Sequence, residues 1–157
     1  LSFVGDARNN MGNSLMIGAA KMGLKFTAVA PKGLWPDKEL IQKCEALAKK
    51  SGGEIAMVED PLKGTKDADV IYTDVWVSMG ESEETWRSRI DALHPYQVND
   101  EMMKNASRNA IFMHCLPAHY DEEIAKSVAH GSNSVIFEQA ENRMHVQKAL
   151  LALLMNK

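Results

Sequence analysis

Short apolar runs alternate with helix-period segments along the whole chain. Strand-like runs fall near 2–5, 25–30, 54–58, 69–73, 110–114 and 134–137, each brief and mostly apolar. Between the first two, Met11, Leu15, Ala19 and Met22 recur at helical spacing and stop at Gly23. Leu40, Ile41, Cys44, Leu47 and Ala48 follow Pro36-Asp37 and end at Ser51-Gly52-Gly53, marking a second helix. Ser82 is placed to cap a third helix with Trp86 and Ile90 turned inward, and Asn99 to cap a fourth through Met102 and Met103. A last helix is predicted over 141–155.

Strands alternating with helices imply a doubly wound, mainly parallel sheet with helices on both faces and right-handed crossovers. This is a three-layer α/β sandwich of Rossmann-like architecture. The final run, Ala149-Leu150-Leu151-Ala152-Leu153-Leu154-Met155, is apolar on nearly every face, whereas a surface helix needs one apolar stripe. Such a helix wants cover on several sides. A central place in this domain, a further domain or a neighbouring subunit would each supply it.

Three apolar runs end in dense polar clusters: Gly5-Asp6-Ala7-Arg8-Asn9-Asn10 after the first, Asp74-Val75-Trp76-Val77-Ser78-Met79-Gly80-Glu81 after the fourth, and His114-Cys115-Leu116-Pro117 after the fifth. In an open parallel sheet ligands bind at the carboxyl ends of strands, so the three clusters point to one shared site. Asp74 suits an ammonium group, Asn9 and Asn10 can both donate and accept, and Ser78-Met79-Gly80 offers a hydroxyl and backbone N–H groups. These fit a zwitterionic amino acid. Arg143, near the start of the last helix, brings a planar fork for a phosphate or a polarised carbonyl oxygen. Duller roles stay open, with Asp74 bracing a turn and Arg143 joining a surface ion pair.

Composition narrows the field. At 157 residues, 45% hydrophobic and 25% charged with a net charge of -3, the chain suits one domain with a true core. Its basic residues are dispersed, which argues against nucleic acid, and its apolar runs are too short for a membrane span. Two cysteines make no disulfide framework, so a cytoplasmic protein is expected. The first residue is Leu1, one position from a strand, which reads as an excised or processed fragment. His114, Cys115, His119 and His145 match no standard zinc spacing, and Gly5 and Gly12 lack the dinucleotide fingerprint, so neither metal nor cofactor is expected.

Taken together, Phe3 to Ser14, Asp74 to Glu81, His114-Cys115-Leu116-Pro117 and Glu141-Asn142-Arg143-Met144-His145 resemble the ornithine carbamoyltransferase family over essentially the whole chain. Ser78-Met79-Gly80 and His114-Cys115-Leu116-Pro117 resemble its ornithine branch rather than its aspartate branch. The resemblance implies an amino-acid-binding domain over 1–157, with the family's carbamoyl-phosphate domain absent because neither a Ser-Thr-Arg-Thr nor a His-Pro-Thr-Gln motif is found. By the same resemblance, Asn10, Asp74, Ser78 and Met79 would bind L-ornithine, with Asn9 a neighbour. Cys115, Leu116 and Arg143 would meet carbamoyl phosphate, Cys115 and Arg143 being catalytic. The Leu116-Pro117 bond would be cis. The expected reaction is transfer of the carbamoyl group to the ornithine δ-amine, giving citrulline and phosphate, in a trimer-based enzyme. The chain by itself is expected to be inactive. A stand-alone amino-acid-binding module, a dinucleotide-dependent domain and a carbamoyltransferase for a related amine are the competing readings.

Overall fold

A computed structural model of the chain describes residues 1–77 and 83–156. Five strands, β1 (Ser2–Val4), β2 (Lys25–Val29), β3 (Glu54–Val58), β4 (Val70–Thr73) and β5 (Ile111–His114), form one sheet in the order β3-β2-β1-β4-β5. Every neighbouring pair is parallel. The helices are α1 (Asn10–Met22), α2 (Lys38–Ser51), α3 (Pro61–Thr65), α4 (Glu83–Leu93), α5 (Asp100–Asn105), α6 (Lys126–Ala129) and α7 (Ile136–Met155). The strand order reverses between β1 and β4, where the crossovers leave on opposite sides and open a crevice at the carboxyl edge.

Strand residues alternate between two cores, as a two-residue period requires. Phe3, Phe26, Ala28 and Tyr72 point to the face covered by α1 and α2, with Met16, Ala20 and Cys44. Val4, Val29, Ile71 and Phe112 point to the other, where Trp76, Leu93, Met102, Ile124 and Ile136 complete the packing. Phe3 and Val4 are both fully buried, which explains why these strands read as continuous apolar runs rather than alternating ones.

The helix ends obey local chemistry. Gly23 and Gly52 close α1 and α2 in the left-handed region, at φ 72° and 85°, where a side chain would be strained. Asp37 caps α2 through the Glu39 N–H, and Asn99 caps α5 through the N–H groups of Glu101 and Met102. Ile90 packs against the second core as expected. Ser82 and the side chain of Trp86 lie outside the described residues.

One expectation is corrected, and one of the alternatives for the last helix is set aside. The run at 134–137 is not a sixth strand. Phe112 donates its N–H to Asn133 and accepts from Val135, giving one isolated bridge at Ser134 before the chain turns into α7 at Ile136. Val135-Ile136 looked strand-like because both are β-branched, but α7 takes Ile136 as its first residue and buries it in the core. Nor is α7 a central helix of this domain. Phe137, Leu150, Leu151, Leu153, Leu154 and Met155 all stand more than half exposed, since only the N-terminal turn meets the sheet. Among the described residues no helix is long and apolar enough to cross a membrane.

Candidate functional site

The loop from β1 to α1 is held in place before any ligand arrives. Gly12 lets the first turn of α1 lie against the Ala7 carbonyl, because a Cβ there would fall on that oxygen. Asp6, almost wholly buried, accepts the Arg8 N–H at 3.0 Å and pairs with Arg89 of α4 at 2.6 Å. Arg89 also donates to the Trp76 carbonyl at 3.3 Å, tying the start of the next polar segment to the same loop.

Asn9 is the N-cap of α1. Its side-chain oxygen accepts the N–H groups of Met11 and Gly12, both at 3.1 Å, so its NH₂ must face the other way. It does so, lying 3.5 Å from Asp74 Oδ2. Asn10 is exposed and its side chain accepts from the Met11 N–H at 2.9 Å. The residue brought to Asp74 is therefore Asn9, while Asn10 lies at the rim.

Asp74 follows β4 directly, on the far side of the switch point from Asn9. Thr73 braces this edge by donating to the Val4 carbonyl at 2.7 Å. Asp74 Oδ1 accepts the Val75 N–H at 2.8 Å and the Cys115 thiol at 2.9 Å, leaving Oδ2 turned toward Asn9. The Cys115 thiol is pushed up to about 12, first by burial and then by its hydrogen bond to, and the charge of, Asp74. At neutral pH Cys115 is therefore a thiol donor and not a thiolate nucleophile. Behind it, burial and then the neighbouring Cys115 push the Tyr72 phenol well above its ordinary range.

The turn after β5 rests on a fully buried pair. The Leu116 N–H donates to His114 Nδ1 at 2.9 Å, so that nitrogen carries no proton. Nε2 then bears the hydrogen and donates to Glu123 at 3.2 Å, while the same carboxylate oxygen accepts the His119 N–H at 2.7 Å. With both ring nitrogens engaged, His114 has no lone pair for a metal, which removes it from the zinc set considered above. Leu116 sits at φ 56° and the Leu116-Pro117 bond is cis.

Arg143 reaches the site from α7. Its Nη1 lies 3.5 Å from the Cys115 carbonyl, and with Met113, Gln139, Asn142, Val146 and Gln147 it lines a cleft of 380 Å³. The structure thus gathers Asn9, Asp74, Cys115, Leu116 and Arg143 at one edge. Ser78 and Met79 lie outside the described residues. Sequence reasoning passed over Glu123, Tyr72 and Gln139. Glu123 is a fully buried carboxylate with nothing in its neighbourhood of sequence to mark it. Tyr72 lay inside the strand-like run at 69–73, and Gln139 fell between the run at 134–137 and the helix predicted from 141.

A parallel five-stranded sheet with an acidic residue, a thiol and a guanidinium gathered at its carboxyl edge, beside the switch point, defines an α/β domain of the doubly wound class. The family model described as the aspartate/ornithine carbamoyltransferase, Asp/Orn binding domain, matches residues 1–154, and the chain belongs to that family. It is similar to the ornithine carbamoyltransferase of Hyperthermus butylicus, with 49% identity over 153 residues, covering 98% of this chain and 48% of the relative. The catabolic ornithine carbamoyltransferase of Treponema denticola is 44% identical over 167 residues, covering 96% of this chain and 49% of the relative. In structure the chain is similar to ornithine carbamoyltransferase from Pyrococcus furiosus, with a TM-score of 0.90 and 47% identity across 97% of this chain and 48% of that one. The chain spans about half the length of the curated relatives it matches.

Proposed function

We propose that this chain is the ornithine-binding half of an ornithine carbamoyltransferase. The observation that carries the reading is the contact of Cys115 with Asp74 at 2.9 Å beside Asn9, at the switch point of the sheet. The relatives named above, which are ornithine carbamoyltransferases, support it.

In this reading Asp74 Oδ2 takes the α-ammonium of ornithine, since Oδ1 is already occupied by the thiol and the Val75 N–H. Asn9 and Asn10 flank the amino-acid end, Ser78 helps Asp74 with the α-ammonium, and the Met79 backbone meets the α-carboxylate. A carboxylate favours a protonated amine, so the δ-amine must lie away from Asp74 to attack in its neutral form. Cys115, held as a thiol, sits beside the δ-amine and the carbonyl carbon and takes no acyl group. The amine nitrogen bonds to that carbon, the carbon–oxygen bond to phosphate breaks, and phosphate leaves with the electron pair. The proton released by the amine passes to phosphate or water. Arg143, close to the Cys115 carbonyl, stabilises the oxyanion and the phosphate, with the Leu116 backbone near the carbamoyl group. Catalysis rests on placing two small reactants together, with no covalent enzyme intermediate and no metal or cofactor.

The carbamoyl-phosphate-binding domain is supplied from outside these residues, and the complete enzyme is a cytoplasmic, trimer-based assembly. The test is citrulline formation from ornithine and carbamoyl phosphate by this chain alone and then mixed with a separately made carbamoyl-phosphate-binding domain. Activity in the mixture alone is the expected result; robust turnover by the chain alone would overturn the two-domain reading.

A further inference from the structure

We propose that Gln139 is a positioning residue of this site, locking the first turns of α7 to the ends of β4 and β5 so that Arg143 stands over Cys115. The inference deepens the carbamoyltransferase reading and rests on it for its kinetic consequences.

The amide's orientation follows from elementary donor and acceptor rules. The His114 N–H, 3.1 Å from Gln139 Oε1, can only donate, so the oxygen must face it. The NH₂ group then faces the Tyr72 hydroxyl at 2.8 Å and donates to it. Both partners are buried core residues on adjacent strands, so the amide bridges two rigid anchors. Tyr72 has a single hydroxyl proton, and with Gln139 occupying a lone pair that proton points away, toward the Cys115 side.

Among the described residues, the other contacts of α7 with the domain fall mainly in its first turn. Ile136 is the buried residue of α7, Gln139 is half-buried, and the length from Ala140 onward is exposed. Ile136 and the Phe137 ring, 6.3 Å from that of His130, hold only the first turn, and the Gln139 bridge carries the hold one turn further and fixes the rotation of the helix. Arg143 lies four residues on, one turn along the same face, and it is the side chain that reaches the Cys115 carbonyl. A small rotation of α7 would carry the guanidinium past that carbonyl. Gln139 touches no reacting atom in the proposed chemistry, so its effect is exerted through Arg143 and, by way of Tyr72, on the orientation at Cys115.

The test is made in the complete enzyme with Gln139→Leu, which keeps the volume and loses both hydrogen bonds. Gln139→Glu keeps an acceptor for the His114 N–H and a partner for Tyr72. Gln139→Leu is expected to raise KM for carbamoyl phosphate and to lower kcat, each about tenfold, with KM for ornithine within about twofold of the parent. Gln139→Glu is expected to bring KM for carbamoyl phosphate back to within about threefold. Amide hydrogen exchange at His114 should speed up in the Leu variant only. Parent-like constants in Gln139→Leu, or equal losses toward both substrates without rescue by Glu, would overturn the proposal. If the parent makes no citrulline, the carbamoyltransferase reading itself fails. The bridge is then judged by the pH dependence of Cys115 alkylation: a shift in Gln139→Leu sustains the positioning role, and an unchanged profile removes it.

Discussion

Replacing Asp74 with Asn should make Cys115 more reactive, not less. The thiol stands at about 12 against an ordinary 9.0, a difference of three units. At about pH 8 that leaves roughly a thousandfold less thiolate than an unperturbed cysteine would show. Burial is the leading cause and persists in the variant, whereas the charge and the carboxylate acceptor are removed. Only part of the suppression is therefore relieved, and alkylation of Cys115 near pH 8 is expected to rise about tenfold. The assay is iodoacetamide labelling read by peptide mass spectrometry. Cys44 serves as the internal control because it is 1% exposed, inside the core that α1 and α2 form with the sheet. In the parent the rate should climb with pH through the alkaline range without reaching a plateau, while the variant bends earlier. The same raised thiol makes a linked statement about stability. The unfolded chain loses this proton first, so the contribution is fully present below about pH 9 and fades as pH rises toward 12. Equal or slower Cys115 labelling in Asp74→Asn, with Cys44 still protected, would refute the coupling.

Three other substitutions test the frame around the site. Asn9→Ala removes the α1 cap and should cost about 1 kcal/mol, seen as a fall in Tm of about 3 °C by calorimetry. Gly12→Ala drives a methyl into the Ala7 carbonyl, and chemical denaturation should show a loss of about 2 kcal/mol or more as the loop shifts. Glu123→Leu strands the buried His114 ring N–H and takes away the acceptor of the His119 N–H, an expected cost of about 3 kcal/mol by denaturant titration. A Glu123→Leu protein as stable as the parent would show that the buried pair does not hold the turn.

The parts of the fold legible in sequence were those written in local chemistry. Gly23 and Gly52 announced helix ends, Pro36-Asp37 and Asn99 announced helix starts, and five of the six apolar runs became strands. The run at 134–137 misled because β-branched residues favour strands in general, while its place beside β5 allows one bridge and then a helix. The short helices α3 and α6 carry too few residues for a periodic signal. At the site, Asp74 and Cys115 were visible because each directly follows a strand at the carboxyl edge, and Arg143 because it stands near the start of the last helix. The resemblance put Asn10 ahead of Asn9, whereas capping geometry, which sequence does not show, turns the Asn9 amide toward Asp74. The Tyr72–Gln139 bridge spans 67 residues of chain and exists only once α7 has docked. The exposed apolar length of α7 answers one of the sequence alternatives and is a property of the folded domain, not of the helix alone.

The most direct test of the central claim is the choice of amine. This chain, joined or mixed with a carbamoyl-phosphate-binding domain, should be offered ornithine and aspartate together with carbamoyl phosphate, and the products separated. The account expects citrulline, lost when Asp74 is replaced by Ala. Carbamoyl aspartate as the product, or citrulline formation indifferent to Asp74, would contradict it.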